Sequence, residues 1–106
     1  MILVLETNGN LLHPFSSAEE AESRLEAIDI ENGEYEFCDD TGRRFVTEIV
    51  THVTRFHAGS FRLKPDAAPD KALVASFLFR ARSLARACNG VGSLDDLRRA
   101  HDAEQE

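Results

Sequence analysis

Only two cysteines occur in the 106 residues, Cys38 and Cys88. Neither has a partner at C-x-x-C spacing and each stands in an apolar setting. A disulfide framework is therefore excluded, and both read as reduced core residues. The opening Met1-Ile2-Leu3-Val4-Leu5-Glu6 lacks the basic flank and the long apolar run of a signal peptide. No later stretch approaches membrane-spanning length, so a cytoplasmic protein without membrane contact is expected.

Motifs that carry chemistry are missing as well. His13, His52, His57 and His101 form no recognised metal-ligand spacing. His52 and His57 lie five apart, which ideal strand alternation places on opposite faces. Asp39-Asp40-Thr41-Gly42 has too few oxygen-bearing positions for a calcium loop and reads as a turn. Gly90-Val91-Gly92 is too short for a phosphate loop and follows a helical pattern where a nucleotide-binding turn follows a strand. Cys38 sits beside Glu36, Asp39 and Asp40, which disfavour a thiolate nucleophile. Glu34 and Glu36 are expected on one strand face, with no pocket signal beside them. No metal, no cofactor and no catalytic residue are assigned.

What is present is an ordinary globular composition, 42% hydrophobic and 29% charged, which argues against disorder and for one self-sufficient domain with a single core. The net charge of −7 is unevenly spread. Residues 1 to 40 carry eleven acids against one base, Arg24, and are net −10; residues 41 to 106 carry eight acids and eleven bases, net +3. A strongly acidic half repels nucleic acid and steers association with a basic partner.

Hydrophobic periodicity predicts an α+β fold in the order β-α-β-β-β-α-α, with an antiparallel sheet of about four to five strands. Ile2 to Leu5 is a strand ended by the Thr7-Asn8-Gly9-Asn10 turn. Ser16 or Ser17 caps a helix whose stripe is Ala18, Ala21, Leu25 and Ile28. After Asn32-Gly33, Tyr35 and Phe37 alternate inward on a strand. Two or three strands are expected between Arg43 and Lys64, bending near Ala58-Gly59-Ser60. Pro69 suits the first turn of a second helix over about Asp70 to Cys88, closed by Asn89-Gly90. Ser93 and Asp96 open a short last helix that fades after Asp102.

Two groups of residues are singled out for binding. Glu31, Glu34, Glu36, Asp39 and Asp40 form an expected acidic edge. Phe79 falls off the stripe of the second helix, on a face shared with Arg82, Ser83 and Arg86; an aromatic beside arginines suits a binding hot spot if the last helix does not cover it. Tyr35 is a further candidate anchor if it lies near a sheet edge.

Leu25-Glu26-Ala27-Ile28-Asp29, then Gly33-Glu34-Tyr35-Glu36 and Asp40-Thr41-Gly42-Arg43, with the lead-in Ser17-Ala18-Glu19-Glu20-Ala21, resembles small bacterial immunity proteins of polymorphic toxin and interbacterial competition systems. The resemblance covers roughly residues 11 to 45. It implies a non-enzymatic inhibitor that binds a cognate protein toxin and blocks its active site; the acidic charge of the chain adds the expectation that the toxin's cleft is basic. Two other expectations stand beside it: an adaptor that forms a homodimer through the second helix, and a small ligand-binding domain with a pocket at His52 and His57.

Overall fold

The computed structural model describes residues 1 to 105. Ten elements follow one another: β1 (Ile2–Glu6), β2 (Leu11–Phe15), α1 (Ala18–Arg24), α2 (Ala27–Glu31), β3 (Tyr35–Asp39), β4 (Arg44–Thr51), β5 (Ser60–Pro65), α3 (Lys71–Arg80), β6 (Ser83–Leu84) and α4 (Leu94–Gln105). The fold is α+β. Its sheet has the order β5-β4-β3-β1-β2-β6 and is antiparallel except for β6, which lies parallel to β2. No described helix is long and apolar enough to cross a membrane.

The Ile2-Leu3-Val4-Leu5 run is apolar without alternation because β1 is central and buried on both faces. Ile2 and Val4 join Phe15, Ala21, Ala27, Ile30, Phe37, Phe61 and Leu63 on the α1–α2 side. Leu3 and Leu5 join Leu12, Cys38, Val74, Phe77, Leu78 and Leu97 on the α3–α4 side. The sheet thus divides the expected single core into two half-cores.

Three helix expectations are corrected. The first helix breaks at Leu25, whose ψ of 145° is extended. In an unbroken helix Ala27 and Ile30 would point away from Ala21; the break turns both into the core and leaves Ile28 outside. The second helix starts at Lys71, two residues beyond Pro69, with the side chain of the capping Asp70 accepting from the Ala72 amide, and it ends at Arg80, well short of Cys88. Arg98 of α4 donates to the carbonyls of Leu78 and Ala81, at 3.0 and 3.2 Å, and so satisfies the helix end. The chain then turns onto the open edge of β2, where the Arg82 and Ala85 amides donate to Asn10 and Leu12. Asn89-Gly90 is no helix cap. With φ of 51° and 80° it forms a tight turn between Cys88 and Val91, which exchange two backbone hydrogen bonds. Finally, α4 continues past Asp102 to Gln105, while Glu106 lies outside the described residues.

The shorter signals agree with the structure. Ser17 accepts from the Glu20 amide as the cap of α1, and Ser93 accepts from that of Asp96 before α4. Two strands, β4 and β5, fill the region from Arg43 to Lys64. Gly42, in the β3–β4 turn, has φ +88°, and a Cβ there would stand 1.9 Å from the Asp70 carbonyl oxygen, so only glycine lets this turn meet the start of α3.

Candidate acidic surface and its surroundings

The five acids expected on one edge are dispersed, because β3 runs between them. Glu31 and Glu34 lie before its start, Asp39 and Asp40 at its end, five residues or about 16 Å further at about 3.3 Å per residue. Asp39 Oδ1 accepts from the Thr41 amide, the Thr41 hydroxyl and the Arg43 amide. Burial pushes its carboxyl upward most strongly, yet those bonds and the Arg43 charge together bring it below the usual range. Asp40 pairs with the N-terminal ammonium at 3.5 Å. Glu36 points to the α3–α4 face, where Oε2 is 2.7 Å from Arg80, so it does not share a face with Glu34 as expected. Glu31 Oε1 lies 2.8 Å from His52 Nδ1.

A different acidic cluster forms at the start of β3. The Glu34 amide donates to the Asp29 carbonyl around the Asn32-Gly33 turn, bringing the two carboxyls together, while the Glu34 carbonyl accepts from Thr7. The Glu34 carboxyl is raised, first by its hydrogen bond with Asp29, then by burial and the charges of Asp29 and Glu6. Burial foremost, then the field of Asp29, Glu6, Glu34 and Glu26, pushes the Tyr35 hydroxyl up to about 12. Among the described residues no lysine or arginine is ion-paired with Glu6, Glu26, Asp29 or Glu34. His13 stands over this cluster, its Nε2 3.9 Å from Glu6 and its ring edge-on to Tyr35. Burial lowers its pKa, against the pull of Glu6. The sequence signal for this grouping is the turn between Asp29 and Glu34; the contribution of Glu6, from another strand, has no local signal.

The helix face expected to combine Phe79 with Arg82, Ser83 and Arg86 does not exist, since α3 ends before them. Arg86 lies over the Phe15 ring at 4.8 Å and pairs with Glu20 at 3.0 Å, on the opposite side of the sheet. Arg82 is exposed just before β6. Phe79 remains on α3 and is 89% exposed, uncovered by α4. It borders a groove of about 210 Å³ with Ala75, Leu78, Arg98 and His101. Phe56, at the tip of the β4–β5 loop, is 91% exposed, and no local sequence pattern marks it. Its turn is held by the Thr54 hydroxyl and by the Thr54 amide donating to the His57 carbonyl.

His52 and His57 make separate contacts: His57 Nδ1 accepts from the Gly59 amide. A cleft of about 440 Å³ lies between the α1–α2 break and β5, but neither histidine lines it. Among the described residues no three His, Cys, Asp or Glu side chains are placed so that they could hold a metal ion. Burial and then Asp39 push the Cys38 thiol up to about 12, which holds it protonated. Comparison with protein-family models, with curated proteins and with solved structures finds no match for this chain.

Proposed function

We propose that this protein is an immunity protein: it binds a cognate bacterial protein toxin and neutralises it by covering its active site. The observation that carries the reading is the cluster of Glu6, Glu26, Asp29 and Glu34 around Tyr35. Like charges held together with no lysine or arginine paired to them among the described residues weaken the free protein, and a basic protein surface relieves that repulsion on binding. The resemblance over residues 11 to 45 spans this cluster except for Glu6. An electrostatic partner of this kind associates fast at low salt and slows as salt screens it.

The test is capture of partners from the source organism with the tagged protein, followed by co-expression of each partner with and without this chain. The reading expects a partner whose expression arrests growth and whose toxicity this chain relieves. It also expects the double reversal Asp29→Lys, Glu34→Lys to slow association at least tenfold at low salt and to flatten its salt dependence. A partner without toxicity, or unchanged kinetics, removes the reading. Phe79 supports a second reading, self-association through α3, which light scattering reports as a dimer that Phe79→Ser dissolves.

A further inference from the structure

The sheet has two outer edges and one internal opening, and the chain treats them differently. At the β5 edge the odd-numbered residues turn their amides outward, because Asp66, an even position, donates to Arg44 of β4. The Leu63 amide is met there by Glu22 of α1 at 2.8 Å, and Pro65 has no amide to offer. The β6 edge is two residues long. Both outer edges are blunted in the ways that prevent strand pairing with other chains.

The internal opening lies between β3 and β4. Their ladder contains only Phe37↔Phe45 and Cys38↔Arg44. The next hydrogen-bonded pair of that register, Tyr35 with Thr47, is not made; from there β4 follows β5 away from β3. In phase with the Asp66–Arg44 bond, the even-numbered residues up to Glu48 hydrogen-bond to β5, so Thr47 and Ile49 turn their backbone groups toward the opening; the register then shifts between Ile49 and Thr51, and Thr51 pairs with Ser60 of β5. Thr47 is exposed, and β4 has no buried residue along its eight. The gap measures about 270 Å³, with Tyr35, Glu36 and Phe37 on one wall and Arg44 to Thr47 on the other.

We propose that this fork is a docking site for an extended basic segment of a partner protein, which adds to β4 as a short strand beside Thr47 to Ile49. The proposal rests on the reading that the chain binds another protein, and it adds the mode. Backbone groups of Thr47 and Ile49 supply the hydrogen bonds, and the two faces of β4 set the side chains the segment carries. On the α2 side the segment meets Tyr35, in the field of Asp29, Glu34, Glu26 and Glu6, and Glu31 beside His52. Lysine or arginine fits there. On the opposite side it meets Val46 and Val50, which are 43% and 49% exposed, so alternate positions are aliphatic. Arg44 marks the closed end of the fork.

The test uses the full chain and three synthetic nine-residue peptides: alternating Lys and Val, alternating Glu and Val, and the Lys–Val peptide N-methylated on alternate amides. In the free protein the Thr47 and Ile49 amides exchange with solvent at least tenfold faster than those of Val46 and Glu48. The Lys–Val peptide binds below about 1 mM, slows exchange at Thr47 and Ile49, and shifts resonances at Tyr35 and 45 to 51. The glutamate and N-methylated peptides bind at least tenfold more weakly. Slow exchange of Thr47 and Ile49 in the free monomer, equal binding of all three peptides, or no binding of the first overturns the proposal. A dimer that protects these amides by itself overturns it in favour of a second copy. If the peptide binds as described and no toxin is found, the docking mode stands and the immunity reading falls; a neutralised toxin that leaves Thr47 and Ile49 unprotected gives the reverse.

Discussion

Glu22 offers the sharpest test of how this sheet manages its edges. Its Oε2 accepts the Leu63 amide at 2.8 Å from a different element, 41 residues away. Glu22→Ala leaves that partly buried donor without an acceptor. Hydrogen bonds to charged groups contribute about 1.5–3 kcal/mol, and an orphaned donor costs about 1–3 kcal/mol, so a loss of about 2 kcal/mol is expected. For a domain of this length that lowers Tm by about 8–16 °C. Glu22→Gln keeps a carbonyl acceptor and loses only the charge, so about half the effect is expected. The alanine variant also opens the β5 edge at Phe61 and Leu63, and at high concentration it self-associates through those two amides, while Pro65 limits the new ladder. Thermal unfolding of both variants, light scattering across a concentration series, and amide exchange at Leu63 measure the three consequences. A loss below about 0.5 kcal/mol for Glu22→Ala, the ordinary range for a surface change, would refute the reasoning. So would equal losses for the two variants.

Three further outcomes follow from the same structure. Arg98→Ala removes both donors from the end of α3, and unfolding should show a loss of about 2–4 kcal/mol; a change below about 0.5 kcal/mol places the cap elsewhere. Gly42→Ala combines a left-handed backbone with a Cβ aimed at the Asp70 carbonyl, and denaturant titration should show a loss of about 3 kcal/mol or more. The Glu34 carboxyl is raised above its ordinary 4.5, so the folded state binds its proton more tightly than the unfolded chain does, and stability falls as pH rises through the window above 4.5. Glu34→Gln therefore raises Tm at pH 7, and the gap to the native chain closes below about pH 4; an equal gap at both pH values excludes the carboxylate repulsion.

The fold class was legible because its signals are local. Asn8-Gly9, Asn32-Gly33 and Asp40-Thr41-Gly42 each stand at a turn, Ser17 and Ser93 cap the helices they precede, and Tyr35 and Phe37 alternate into one half-core. Each depends on a hydrogen bond or a face preference within a few residues. The candidate site was less legible. Acids close in sequence are not close in space here, because a five-residue strand holds Glu34 and Asp39 at its two ends, while Asp29, Glu34 and Glu6 meet through a turn and a neighbouring strand.

The sequence by itself determined the alternation of strands and helices, the turns that join them, and the imbalance of charge between the two halves. These follow from backbone geometry and side-chain type within a short window. Tertiary structure alone decided where α3 stops, since Leu84, Ala85 and Cys88 suit a helical stripe equally well. The open edge of β2 and the guanidinium of Arg98 take the backbone groups that a longer helix would have used. It also decided that β4 leaves β3 after Phe45, because β5 takes one edge of β4 along its whole length while β3 takes the other for only two residues. Such choices rest on pairing between distant segments, and no local pattern encodes them.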